Sequence, residues 1–203
     1  MRSMLMLRPR QTALMLSLLS LSAHTMAGEF TYSGFATVAV GKVIGGSNNA
    51  PLNTHFDCPC YIADYGQGAV YERQWSMGQE SKVGVQGTYK FTPTLSATGQ
   101  VVGRGVDGVK ADVEWAYLSY EASPNWTLQA GRKRLPLYFY SDFQDIGYAY
   151  NTIRPSPDVY GWDVVNYNGL SAAWRTELSG WNLRVEGLYG GETSKKNPYS
   201  KIV

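Results

Sequence analysis

The residues best suited to chemistry by type and spacing are the two cysteines, which lie in the segment Asp57-Cys58-Pro59-Cys60. Thiolate, imidazole and carboxylate groups are zinc ligands, so a metal centre built from Cys58, Cys60 and His55 with Asp57 is one interpretation. A local disulfide is a second, and free thiols or pairing with another chain are a third. A zinc site needs more ligands than this segment offers, so we expect no metal and keep Cys58 and Cys60 as a candidate disulfide.

A second motif, Gly103-Arg104-Gly105-Val106-Asp107-Gly108, has the glycine spacing of dinucleotide-binding loops. Such a loop works only where a helix N-terminus follows it and holds the pyrophosphate. The residues from Lys110 to Tyr120 are instead rich in Val, Trp and Tyr, which is typical of a strand. We therefore expect a hairpin loop here, and no cofactor.

The elements that position these segments are strands, and the clearest are two runs that alternate polar and apolar residues. Lys82 to Phe91 and Leu95 to Val102 both have the two-residue period of a strand, and the turn Thr92-Pro93-Thr94 separates them. They predict a hairpin. Shorter alternating runs predict further strands from Phe30 to Val43, Lys110 to Glu121, Trp126 to Ala130, Gly169 to Thr176 and Trp181 to Tyr189. The run from Lys110 places Asp112 and Glu114 on one side and Val113, Trp115 and Tyr117 on the other. Its alternation blurs at Leu118 and Tyr120, which indicates a slip or bulge.

The first 27 residues have the pattern of a cleaved signal peptide. Arg2, Arg8 and Arg10 precede an apolar segment, Ala13 to Leu21, that is too short to span a bilayer. Small residues place the cleavage after Ala27. We therefore expect a signal peptide over 1–27, an exported chain over 28–203, and no helical membrane span, since no later segment is long and apolar enough.

The charge balance argues against nucleic acid as a partner. The whole chain has 18 basic and 16 acidic residues, but the leader carries three of the arginines and no acid, which leaves 15 against 16. The remaining basic residues do not cluster on one face. Of the two histidines only His55 follows the leader, and hydrolases commonly use a His base, so we expect no enzyme.

Three regularities favour a membrane barrel over a water-soluble sandwich. Short turns alternate with longer connections, aromatic residues gather at strand ends, and one face of the strands carries charge. Charged side chains in a dry core would cost several kcal/mol each if unpaired, whereas a water-filled lumen removes that cost. The fold class expected is therefore all-β, an antiparallel transmembrane β-barrel. The residues expected to line its wall are Lys82, Gln86, Lys90, Asp112, Glu114, Arg175, Arg184 and Glu186.

The chain resembles the Gram-negative outer-membrane porins over nearly all of its length after the leader. The passages closest to that family are Ser81 to Phe91, Leu95 to Gln100, Val113 to Tyr120 and Leu128 to Arg132. The resemblance implies that the aperiodic segment 132–163 is the third loop, which folds into the lumen and narrows it. By the same resemblance, loop acids face wall arginines there and filter solutes by size and charge, so the implied constriction residues are Arg132, Arg134, Asp142, Asp145 and Arg154.

The resemblance also implies a passive diffusion channel for small hydrophilic solutes or ions, in the outer membrane of a Gram-negative bacterium. Its expected partners are outer-membrane lipid, lipopolysaccharide and two further copies in a homotrimer.

The strand count modifies this expectation. We count about seven strands, whereas a closed single-chain barrel has an even number of at least eight, and large porins have about 16. We therefore expect residues 28–203 to be the N-terminal part of a porin barrel, a fragment. The alternative is a complete small barrel of eight strands with a structural or adhesive role.

Overall fold

A computed structural model of the chain describes residues 28–49, 56–65, 68–108, 110–161 and 164–193. The predicted signal peptide and His55 lie outside these ranges. The strands are β1 (Glu29–Thr37), β2 (Tyr61–Tyr65), β3 (Gly68–Tyr71), β4 (Lys82–Lys90), β5 (Leu95–Arg104), β6 (Lys110–Ser123), β7 (Trp126–Arg134), β8 (Asn166–Leu178) and β9 (Trp181–Gly191). No helix in the described part of the chain is long and apolar enough to cross a membrane.

Seven of the strands form one antiparallel sheet in the order β1, β4, β5, β6, β7, β8, β9. Apart from the step from β1 to β4, each strand pairs with its neighbour in the chain. The sheet is open, with β1 at one edge and β9 at the other. The prediction of an all-β chain with about seven strands is confirmed at this level.

The hairpin of β4 and β5 forms where its alternation predicts it. The Phe91 and Thr92 amides donate to the Leu95 carbonyl, and the Thr92 hydroxyl accepts from the Leu95 amide at 2.9 Å, which closes the turn around the proline. Across the strands, Gln100 donates to Gln86 and the Thr88 and Thr98 hydroxyls bond at 2.9 Å. These cross-strand pairs fix the register.

The turn between β8 and β9 requires an unusual backbone. Ser179 and Gly180 have φ values of 52° and 81°, and these two residues alone connect the strands. Positive φ at both central positions is the geometry that lets a two-residue turn follow the twist of a hairpin.

The register gives the sheet one apolar and one polar face. A row of Cα partners crosses all seven strands with apolar side chains on one face, hereafter the apolar face. Its members are Phe30, Tyr89, Ala97, Leu118, Ala130, Leu170 and Tyr189. The opposite face, hereafter the polar face, includes the row Ser33, Gln86, Gln100 and Trp115.

A bulge in β6 corrects the face assignment of two aromatic residues. Gln100 pairs with Trp115 but Val101 pairs with Val113, so Glu114 is the extra residue. The alternating pattern predicts Trp115 and Tyr117 on the face of Val113, opposite the acids. Because the bulge changes the phase, both aromatic residues lie on the polar face.

Several predicted boundaries also differ. β1 ends at Thr37 rather than Val43, β5 and β7 continue to Arg104 and Arg134, and β8 begins at Asn166. The long first connection contains the separate β2–β3 hairpin. The sequence predicts only a strand piece near Val70 to Trp75 there, and β3 overlaps it at Val70 and Tyr71.

The segment between β7 and β8 is hereafter called loop 135–165, and its described residues are folded rather than extended. It contains two single 3-10 turns, Ser141–Phe143 and Gly147–Ala149, and a short helix α1 (Pro157–Tyr160). Rings of Tyr138, Tyr140 and Tyr160 pack together, with Tyr160 at centroid distances of 5.1 and 5.9 Å from the other two. The Tyr140 amide donates to the Tyr160 hydroxyl at 2.9 Å, which ties the beginning of the loop to its end.

Candidate functional site

Loop 135–165 contacts the polar face of the sheet through a buried carboxylate. Lys82 of β4 and Arg104 of β5 are Cα partners on that face, and two like charges in such positions repel each other. Asp145 of the loop lies against both. Its carboxylate accepts from Arg104 at 3.2 Å (Nε) and 2.6 Å (Nη2), and its Oδ1 is 3.6 Å from Lys82 Nζ.

A second carboxylate enters from the bulge of β6. Glu114 is 2.7 Å from Arg104 Nη2 and 2.6 Å from Arg134 Nη2, and Arg134 is also 2.9 Å from Asp145. Asn166 Nδ2 donates to Glu114 at 2.9 Å. The bulge therefore gives the sheet an additional acid where the loop arrives.

Together these residues form what we call the ionic cluster, which consists of Lys82, Arg104, Glu114, Arg134 and Asp145. None of its members is more than 7% exposed. Its contacts join four strands and the loop. Removing one partner from a buried ion pair leaves an uncompensated charge, which is strongly destabilising. The cluster therefore fixes the segment of the loop around Asp145, hereafter the root, to the sheet.

The electrostatics of Asp145 follow from these neighbours. Burial alone would raise the pKa of the Asp145 carboxyl, but the guanidinium groups of Arg134 and Arg104 outweigh it and hold the pKa below its usual value. The carboxylate is consequently charged at neutral pH.

A separate ion pair holds the segment of the loop around Arg154, hereafter the arm. Arg154 donates to Glu80, a residue 3% exposed in the segment that precedes β4, and its guanidinium carbon lies 5.6 Å from the Tyr61 ring centre. Burial is the main cause that raises the pKa of the Glu80 carboxyl, against the opposing charges of Arg154 and Lys82.

Asp142, the other loop acid singled out by the sequence, is exposed and takes no part in the cluster. Its charge acts on Lys133 of β7, whose ammonium lies 5.4 Å from the Tyr117 ring centre and 3.8 Å from Glu186. Asp142 thus lies over the polar face with its carboxylate open to solvent.

The structure brings together only part of the constriction set that the resemblance implies. Asp145 and Arg134 lie 2.9 Å apart in the cluster. Arg132 does not face the loop acids: its guanidinium bonds Glu192 at 2.8 and 3.1 Å and the Val113 carbonyl at 2.7 Å. Arg154 pairs with Glu80 instead of Asp142 or Asp145. β7 pairs with β6 only as far as Arg132, so the arginine reaches the carbonyl of β6 that the ladder leaves free.

The residues predicted to line a barrel wall lie on the polar face, but most are outside the cluster. Lys90 pairs with Glu29 at 2.9 Å near the end of the sheet, and Arg184 with Glu186. Asp112 is 3.9 Å from Arg104. The remaining members are Gln86, which bonds Gln100, and Arg175, the Cα partner of Arg184.

Arg104 and Glu80 both help to hold loop 135–165, but neither is among the constriction or wall residues predicted from the sequence. Arg104 belongs to the glycine-rich motif and so is expected in a loop. It nevertheless continues the two-residue spacing of Thr98 and Gln100, which places it on the same face of the strand. That spacing is the signal that could have identified Arg104 as a polar-face residue. For Glu80 we find no comparable signal, because its partner is 74 residues away along the chain.

The cysteine pair and the glycine-rich motif, which the sequence singles out for possible chemistry, have structural roles here. Cys58 and Cys60 form a disulfide, and Arg73 donates to the Cys58 carbonyl. No group of three metal-ligating side chains gathers among the described residues. Gly105–Asp107 makes a single 3-10 turn between two strands, as the hairpin-loop prediction has it, and offers no helix N-terminus to a pyrophosphate.

Comparisons of the chain with known protein families, with curated proteins and with solved structures found no match. Function is therefore inferred from the residues themselves.

Proposed function

We propose that the chain forms part of the wall of an outer-membrane porin, a channel through which small hydrophilic solutes or ions diffuse passively. One observation carries the proposal: the distribution of polarity is inverted relative to a protein that folds in water. Large apolar side chains cover the exposed face of the sheet, while charged side chains are buried beneath a loop on the other.

The inversion is large. Leu118, Leu170 and Tyr189 of the apolar face are 50%, 60% and 84% exposed, whereas Arg104 and Glu114 are 4% exposed. A continuous apolar surface across seven strands is far more than the scattered apolar residues of an ordinary surface, and it marks contact with lipid or protein.

The dimensions of the sheet suit a bilayer. β4, β5, β7 and β9 contain 9, 10, 9 and 11 residues, and a tilted strand needs about 9 to 11 residues to cross the hydrocarbon core. Backbone groups inside the sheet are paired with neighbouring strands, as they must be in lipid.

Aromatic residues gather at one end of the apolar face. Trp126 and Trp174 are Cα partners beside the short turns, Trp181 begins β9 and Phe91 follows β4. Aromatic side chains in that position are typical of the girdles that lie at the membrane surface. The short turns would then lie at one membrane surface and the long connections at the other.

The polar face suits a water-filled channel narrowed by loop 135–165. The ionic cluster neutralises Asp145, so the charges open to passing ions are those outside it, including Asp142 and Lys133. Fixed charges in a narrow aqueous passage set ion preference. In this proposal the apolar face contacts outer-membrane lipid and lipopolysaccharide, and copies of the chain associate as a trimer.

The membrane placement is tested with two substitutions at adjacent positions of β6. Leu118 lies on the apolar face and Ser119 on the polar face. Arginine at a lipid-facing position in mid-membrane costs roughly 2 to 4 kcal/mol, whereas a lumen position tolerates it. The full chain is refolded into phosphatidylcholine vesicles, and L118R should reduce the inserted fraction far more than S119R. Equal insertion of the two variants would contradict the placement.

Passage of solutes is a separate question, tested by ion current across planar bilayers. Each edge strand has one open side among the described residues, so conduction requires that β1 and β9 pair with further strands. Stepwise current supports the channel, and D142N should then shift the reversal potential toward anions. Insertion without current would favour a structural role in the membrane.

A further inference from the structure

Loop 135–165 is attached at two points that differ in chemistry, one on the polar face of the sheet and one in the segment that precedes β4. The root attachment is Asp145 in the ionic cluster, with Lys82, Arg104 and Arg134 around one carboxylate. The arm attachment is Arg154 on Glu80. Between Asp145 and Arg154 the chain forms one 3-10 turn, Gly147–Ala149, so the two attachments lie on different stretches of the loop.

The arm attachment depends on one proton-binding group. Among the described residues, Arg154 forms a salt bridge with no acid other than Glu80. The guanidinium also lies over the ring of Tyr61, a cation–π interaction at an exposed tyrosine that contributes little, and the Arg154 carbonyl accepts from the Thr152 hydroxyl within the same stretch of loop. When Glu80 takes up a proton, the arm loses its ionic partner.

The groups that face Glu80 come from several elements. Arg154 of the loop and Lys82 of β4 are the cations, and the phenols of Tyr71 and Tyr150 lie near enough to sense its charge. Lys82 is itself committed to Asp145. Asp145, in contrast, has two guanidinium groups within hydrogen-bonding distance.

We propose that loop 135–165 carries an acid-released arm: protonation of Glu80 frees the segment around Arg154, while Asp145 keeps the root of the loop bound. The device does not depend on channel activity, since it concerns only how the loop is held. It makes one part of the loop mobile at low pH while the other part stays bound.

The electrostatics favour this order of events. Burial raises the pKa of the Glu80 carboxyl, whereas the arginines hold the pKa of Asp145 below its usual value. On acidification Glu80 therefore takes up its proton first. A carboxyl whose folded pKa is raised binds protons more readily folded than unfolded, so its protonation does not unfold the sheet. Asp145 loses its charge only at still lower pH.

Closing and opening of the arm would be local. The position of Gly147 approaches Thr37, where an added Cβ would lie 3.0 Å from the hydroxyl, and α1 lies beside β2. Tyr150 adds neutral contacts, a hydrogen bond from its hydroxyl to the Gln144 carbonyl at 2.8 Å and a ring contact with Tyr140 at 5.7 Å. Loss of the ionic contact therefore lowers the cost of opening this segment and does not detach it completely. Segments of this kind open with small free energies, independently of global unfolding.

The test is amide hydrogen exchange of the full chain in detergent micelles, from about pH 7 to about pH 4, corrected for intrinsic exchange. In the wild type, amides of 147–156 should exchange roughly tenfold faster below the transition, as loss of a charge-assisted hydrogen bond predicts. Amides of 140–145 should not change. E80Q, which mimics the protonated acid, should give the fast rate at all pH values, with no step.

Two variants keep the result decisive. R154Q removes the same contact from the loop side and should reproduce E80Q if E80Q itself folds poorly. E29Q removes an exposed acid that pairs with Lys90 and should retain the wild-type step. A step that survives in both E80Q and R154Q, a wild type without a step, or simultaneous opening of 140–145 and 147–156 would each overturn the proposal.

Discussion

Asp145 and Arg104 meet in a two-point contact, with 3.2 Å between Nε and Oδ1 and 2.6 Å between Nη2 and Oδ2. The two residues are 41 positions apart in the chain and both are buried. The planar fork of the guanidinium matches the two carboxylate oxygens, which fixes orientation as well as distance. The contact therefore determines how loop 135–165 lies on the sheet.

Replacing Asp145 by asparagine should strongly destabilise the chain. D145N preserves shape but leaves the three buried cations of the cluster with Glu114 as their remaining acid within it. Loss of one partner from a buried ionic group typically costs about 3 to 5 kcal/mol. We expect a loss of this order in the free energy of unfolding, measured with urea in micelles at neutral pH.

D142N is the matched control for D145N, because Asp142 is an exposed acid of the same loop. Its effect should stay within about 0.5 kcal/mol. The Asp145 contribution also has a defined pH dependence. Since its folded pKa lies below the ordinary aspartate value of 3.8, the stabilisation is present above that pH and is lost as pH falls through the folded pKa. Equal stability of D145N and D142N would contradict the buried cluster.

Lysine should not replace arginine at position 104. R104K keeps the charge, but a single ammonium cannot reproduce the paired contacts to Asp145 and the contact to Glu114. We expect R104K to lower the free energy of unfolding by roughly 1 to 3 kcal/mol. A double-mutant cycle with D145N should show a coupling energy of at least about 1 kcal/mol, and additive effects would count against the contact.

The hairpin of β4 and β5 is predictable because its information is local. Alternation along each strand and a proline turn between them suffice to define it. The ionic cluster is different, since its contacts join residues from four strands and a loop, and no local pattern records which charges meet. The phase change at Glu114 is only partly predictable. The blurred alternation at Leu118 and Tyr120 indicates a slip or bulge in this strand but does not show which residue is extra, so the pattern places Trp115 and Tyr117 on the wrong face.

Alanine should be poorly tolerated at position 131. Gly131 has a φ of 136°, and an added Cβ would lie 2.3 Å from the Ala116 carbonyl oxygen. A side chain in such a backbone conformation costs about 1 to 3 kcal/mol, before any shift of β6. G131A should lower the free energy of unfolding by at least this amount.

G187A provides the comparison for G131A, because Gly187 is also in a strand and an added Cβ there would meet no atom within 4 Å. A cost for G187A as large as that of G131A would show that the effect comes from losing glycine in a strand and not from the backbone conformation at 131.

Tyr150 should titrate late at alkaline pH. Burial, with added repulsion from Asp145 and Glu80, raises its pKa from 10.0 to about 12. Because the folded state favours the neutral phenol, the associated stability is fully present below pH 10.0 and is lost as pH rises toward 12. The ultraviolet difference between wild type and Y150F should reveal one phenol with a midpoint near 12.

Y148F removes a neighbouring phenol that is 83% exposed, and it controls for the loss of one hydroxyl from the loop. A Y150F difference that titrates at the usual value for tyrosine would indicate that the Tyr150 hydroxyl is not held against Gln144, whose carbonyl it reaches at 2.8 Å.

The bulge in β6 has a genetic consequence. In-frame loss of one codon within a regular strand inverts the facing of every residue on one side of the deletion. At position 114 the same loss would only make the ladder regular, because Trp115 and Val113 already face opposite sides beside Gln100 and Val101. This single codon can therefore be lost or gained without turning the strand over, so selection can change the charge beneath the loop independently of the apolar face.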